Sequence, residues 1–156
     1  MQKLFEYNWQ VRQDWFNWCQ DVPLEELLKK RTGGVGGILH TLFHIVVVEY
    51  SWICDMKGKP DFREPFDSYA SLQQVMELSH RFHEDIRAFV ASWTDELEWN
   101  VFSETTPKGE TVSFKYGEIM RHVIAHEIHH VGQLSVWSRE LNKVPVTANL
   151  IRRGLY

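Results

Sequence analysis

The segment RHVIAHEIHH, Arg121 to His130, holds four of the eight histidines in the 156-residue chain. On a helix at about 100° per residue, taking His126 as zero, His130 falls at about 40° and Gln133 at about −20°. Ile119 and Trp137 lie near 20°, and Val123 and Leu141 near 60°. This spacing predicts that His126, His130 and Gln133 occupy the centre of an apolar stripe, with His122 and His129 toward its edge. Two imidazoles at i and i+4 then project side by side into a core. An unpaired polar group there costs about 1–3 kcal/mol, so the rings need partners. A metal ion shared between them is one answer, as in helical zinc motifs. Core histidines hydrogen-bonded to backbone or side chains are the other.

A third ligand has to come from another helix. The candidates are His40, His44, His80 and His83. His44 lies in the middle of ILHTLFHIVVVEYSWIC, the most apolar segment of the chain. It can face His126 and His130 across a core, and His40, one turn earlier, is its nearest competitor. His80 and His83 sit beside Arg81, Glu84 and Asp85, which reads as a solvated face. Three neutral imidazoles suit one divalent ion of Zn, Ni, Fe or Cu and leave a coordination position open.

His126 to His130 also satisfies H-E-x-x-H, a zinc-protease signature in which Glu127 would be the general base. The longer form of that motif is missing. The only acid downstream, Glu140, lies about 15 Å along the same helix. Peptidase activity is therefore disfavoured, and Glu127, at about 100°, is expected at the helix edge.

Apolar periodicity predicts helices over about 2–20, 35–56, 69–93 and 116–141, with a short turn of helix at 24–30. Ser71 is a candidate cap if the third helix starts late. The stretch Leu97 to Tyr116 alternates at Leu97, Trp99 and Val101 and again at Val112, Phe114 and Tyr116. Pro107-Lys108-Gly109 lies between, so it reads as a hairpin, with an irregular loop as the alternative. The tail from Val146 to Tyr156 is expected against the surface or in a dimer contact. The fold class is all-α, a four-helix bundle with a small hairpin or loop insertion before the last helix, in one domain spanning 1–156.

Composition narrows the function classes. The net charge is −4, and Lys29-Lys30-Arg31 is the longest basic run. Nucleic-acid binding, which needs clustered cations, is disfavoured. Cys19 and Cys54 stand alone and read as buried free thiols, as expected of a reducing cytoplasm. The longest apolar run, Ile45 to Val48, is far short of the roughly 20 residues of a membrane span. Aromatic residues make up 13% of the chain, which favours a filled core or a large interface. A homodimer is expected because the second long helix is apolar around most of its circumference.

His126-x-x-x-His130 followed by Gly132-Gln133 has an upstream counterpart in L-x-x-L-x-H-I-x-x-x-E-x-x-W, here Leu39, Leu42, His44, Ile45, Glu49 and Trp52. Together these elements resemble the DinB-like family, as do the helix order and the insertion before the last helix. The resemblance implies a four-helix bundle, often dimeric, with a metal triad that maps onto His44, His126 and His130. Val131 stands where many members carry arginine. The family includes metal-dependent transferases that move low-molecular-weight thiols such as bacillithiol or mycothiol onto electrophiles. What it implies here is a metal-dependent thiol S-transferase or related hydrolase, whose partners would be a small-molecule thiol or electrophile. The alternative is a non-catalytic metal-binding stress-response module. The residues themselves name no general base.

Overall fold

The computed structural model describes residues 1–156. Five helices, α1 (Gln2–Cys19), α2 (Leu24–Leu28), α3 (Ile38–Lys57), α4 (Leu72–Ala91) and α5 (Tyr116–Glu140), are joined by loops. A two-stranded hairpin, β1 (Val101–Thr105) and β2 (Thr111–Lys115), precedes α5. The four long helices close a ring in which α1 and α3 each pack against both α4 and α5. The chain is thus an all-α bundle with a hairpin insertion. Phe5, Trp15, Leu39, Leu42, Ile53, Met120 and Leu134 are completely buried in its core.

Local chemistry sets the ends of the helices. Helix α3 starts at Ile38, three residues later than periodicity predicts, because Gly33, Gly34 and Gly36 all take positive φ. It stops at Gly58, whose left-handed backbone lets Gly58 and Lys59 N–H turn back to Asp55 and Cys54 carbonyls. Helix α4 starts late and stops early relative to 69–93. Its cap is Ser71, whose Oγ accepts the Gln74 N–H at 3.3 Å. Ser71→Ala should therefore cost about 1 kcal/mol in urea unfolding. An unchanged midpoint would show that water replaces the cap.

The hairpin is real, but its register departs from the alternation read in the sequence. Leu97–Trp99 is a 3₁₀ turn, and Trp99 and Val101 face solvent. The packing pair is Phe102 opposite Phe114, both edge-on to Trp52 of α3. Cys19 and Cys54 are buried free thiols.

As a whole helix α3 is long and apolar enough to cross a bilayer, although its longest uninterrupted apolar run is short. Here it is the inner helix of the bundle, covered by α2, α4 and α5. Its apolar circumference, the basis for expecting a dimer, is thus largely used within one chain. Exposed apolar side chains lie elsewhere, at Trp99, Val101, Ile128 and Val136.

Candidate metal centre

Beyond Gly117 in its first turn, the buried face of α5 consists of Ile119, Met120, Val123, Ile124, Glu127, His130, Val131, Leu134, Trp137 and Ser138. On the angular scale used above it runs from about 20° to about 160°, with its centre close to Glu127. This corrects two expectations. His126 and Gln133 lie beside the stripe rather than in its centre, and only His130 is fully inside. Glu127, expected at the helix edge, is 2% exposed. Met120, Ile124, Val131 and Leu134 pull the centre of the stripe to its side.

Arg12 of α1 explains how a carboxylate survives there. Its Nε and Nη2 donate to Glu127 at 3.0 and 2.5 Å, and its Nη1 donates to Glu49 of α3 at 2.6 Å. Trp9 Nε1–H donates to the other Glu49 oxygen at 2.8 Å. One fork thus joins three helices in the dry interior, with one cation facing two carboxylates. Burial opposes the Arg12 charge, but Glu127 and Glu49 more than offset it and raise its pKa. Burial raises the Glu127 pKa against the pull of Arg12, and Glu49 adds to the rise.

None of these three residues was singled out as a buried ion cluster from sequence, although a signal is present. Phe5, Asn8, Arg12, Trp15 and Cys19 follow helical spacing, so Arg12 lies within the apolar stripe of α1. A charge in that position requires a buried counter-charge. The same spacing places Glu49 on the buried side of α3 and Glu127 on that of α5.

The predicted histidines come together at the α3–α5 seam. His126 Nε2 lies 3.0 Å from His44 Nε2 and 3.1 Å from His130 Nε2. The ligand-capable atoms of the three residues all lie within 4.8 Å of one another, and such a group could hold a metal ion. His44 and His126 are half-buried, and His130 is buried. The triad thus lies to one side of the buried stripe, with His126 at its edge, while Glu127 and the Arg12 cluster occupy its middle.

Burial lowers all three imidazole pKa values, and neighbouring imidazoles lower them further. His126 falls to about 3, pushed by burial, His130 and His44. His44 falls to about 4, pushed by burial, His130 and His40. Burial also lowers His130, opposed by its bond to Gln133. The rings are therefore neutral at pH 7, the protonation state in which imidazole binds metals.

The fit to an ion can be tested on geometry. Two nitrogens each about 2.0–2.1 Å from one ion, at angles near 100–110°, lie roughly 3.1–3.4 Å apart. The 3.0 and 3.1 Å separations here approach that range. The donor set, three neutral nitrogens from two helices, suits a first-row transition metal.

The remaining histidines lie outside the triad. His40 stacks on Phe66 at 4.2 Å. His122 is exposed, with its ring 5.9 Å from those of His126 and Trp52. His129 is exposed and bonds to Gln133. His80 is exposed, as expected, but His83 is half-buried edge-on to Trp9 at 4.7 Å. A groove of about 950 Å³ between α1 and α4 is lined by Trp9, Gln13, Met76 and His80 and does not include the triad.

The fold and site define a class: a four-helix bundle with a histidine triad set between its second and last long helices and a hairpin before the last one. The model of the DinB family matches residues 1–153, and the chain belongs to that family. It is 49% identical over 155 residues to a Bacillus subtilis (strain 168) protein named "Uncharacterized protein YizA". That alignment covers 99% of this chain and 96% of the relative.

Proposed function

We propose that the chain binds one divalent transition-metal ion on His44, His126 and His130, with Zn, Ni and Fe the leading candidates, and acts as a metal-dependent thiol S-transferase or a related hydrolase. The convergence of three neutral ring nitrogens, within 4.8 Å of one another, carries the reading. Bound there, the ion would supply a Lewis acid that lowers the pKa of a thiol or water. The chain's own residues hold that position open, because the triad contains no fourth protein ligand. Gln133 holds His130 by its Nδ1. His122 and His129 add exposed imidazoles beside the triad on α5.

A non-catalytic metal-binding module is the second reading, favoured by one observation. Both carboxylates nearest the triad along the helices, Glu49 and Glu127, are held by Arg12 inside the bundle. Glu127 therefore cannot serve as the free base that an H-E-x-x-H peptidase requires.

Elemental mass spectrometry of untagged protein should find close to one metal equivalent, absent from His44→Ala and from His126→Ala/His130→Ala. Loss of thiol should follow when the loaded protein meets a panel of electrophiles and low-molecular-weight thiols. Metal without thiol consumption would select the non-catalytic module. No metal after loading with Zn, Ni or Fe would remove both readings.

A further inference from the structure

Gln133 makes two hydrogen bonds of opposite sense. Its Oε1 lies 2.8 Å from His130 Nδ1, and its Nε2 lies 3.0 Å from His129 Nε2. An amide oxygen only accepts, and an amide NH₂ only donates. His130 must therefore carry its proton on Nδ1, which leaves the Nε2 lone pair free to face His44 and His126. His129 must accept on Nε2. Turning the amide over would place N–H donors against His130 Nδ1 and move the ring proton to Nε2, closing it as a ligand. The same turn would require exposed His129 to carry its proton on Nε2, so both histidine tautomers are tied to the orientation of one amide.

The glycine loop passes close to the same amide. A Cβ built on Gly34 would lie 2.3 Å from Gln133 Oε1 and 3.0 Å from its Cδ. Gly34 also has φ +53°, where a side chain is strained. A Cβ there would push the amide end of Gln133 away from His130.

We propose that Gln133 is the positioning residue of the histidine centre, fixing which nitrogen of His130 is presented to an incoming ligand, and that the absence of a side chain at Gly34 leaves room for the amide in that place. The proposal rests on the metal-binding reading for its affinity consequence but not for its tautomer consequence. Partners of this kind commonly change metal affinity by about 10–100-fold.

Two measurements test it. Zinc competition titration against a chromophoric chelator at neutral pH should show Gln133→Leu weaker than the parent by about 10–100-fold. Gln133→Glu, which still accepts from Nδ1–H, should stay within a few-fold of the parent. Gly34→Ala should weaken binding as Gln133→Leu does, and the double variant should be no weaker than Gln133→Leu alone. Nitrogen-15 NMR of the metal-free protein, above the range where the rings titrate, should report Nδ1–H on His130 in the parent and Nε2–H or a mixture in Gln133→Leu. Unchanged zinc affinity and an unchanged tautomer in Gln133→Leu overturn the proposal. An additive double variant overturns the role of Gly34. If the parent binds none of zinc, nickel and iron, the metal reading fails, and the tautomer measurement still decides the role of Gln133.

Discussion

Arg12→Met should be among the most damaging single substitutions in the chain, costing about 3–5 kcal/mol in denaturant unfolding. For a domain of this size that is a fall in Tm of roughly 6–20 °C. The side chain is 5% exposed, and its fork holds Glu49 and Glu127. Methionine fills similar volume but leaves two buried carboxylates without a counter-charge. The loss should shrink as the pH falls, because protonation removes the stranded charge, and Glu127 is already raised by burial. Adding Glu127→Gln to Arg12→Met should recover part of the stability for the same reason. Arg12→Lys should not rescue fully, since an ammonium cannot reproduce the bidentate fork on Glu127. A cost below about 1 kcal/mol would show that water reaches these carboxylates.

Removing two ring nitrogens with His126→Ala/His130→Ala should have opposite effects with and without metal. At neutral pH, free zinc at 100 times its dissociation constant should stabilise the parent by about 2.7 kcal/mol and the variant not at all. Without metal, the parent should be the more acid-sensitive protein. His126 and His44 titrate at about 3 and about 4 when folded, and His130 is also lowered. In the unfolded chain these histidines titrate near 6.5. Between those values the unfolded chain binds more protons, so the parent's stability is complete above about pH 6.5 and declines as the pH falls toward 4 and below. The variant keeps only His44 from the triad, so its stability should depend less steeply on pH in that window. The test is a set of urea midpoints from pH 7 to pH 4, and parallel curves would mean that the rings are not desolvated.

The His126/His130 pair was legible in the sequence because it depends on spacing alone, and His44 stood out by its place in the most apolar segment. Residues i and i+4 on one helix share a face whatever the rest of the bundle does, and an imidazole within the most apolar helix has few other partners. The hairpin was visible from its turn and alternation, but not which strand face packs inward, because that depends on Trp52. The inside of the bundle was harder to read. Counting only some of the apolar residues of α5 placed the stripe over His126, when Leu134 and Val131 belong to it and centre it on Glu127. Glu127 looked like a surface residue because carboxylates usually are. Its partner is 115 residues away in the chain, beyond the reach of any local pattern. The fold of the Gly33–Gly37 loop against Gln133 was similarly invisible, since four glycines announce a break in a helix but not what the backbone will approach.

The distance from Arg12 to Glu127 also bears on biosynthesis. At about 5–20 residues per second, roughly 6–23 s pass between the addition of Arg12 and that of Glu127. For most of that time the nascent chain can offer Arg12 only Glu49, and the faces of α1 and α3 that α5 covers stay wet or find another cover. The bundle can close only after the last helix has cleared the ribosome. Because that helix also brings two of the three ring nitrogens, the triad forms in the same late step, so a metal ion that it binds would be captured only once α5 has cleared the ribosome.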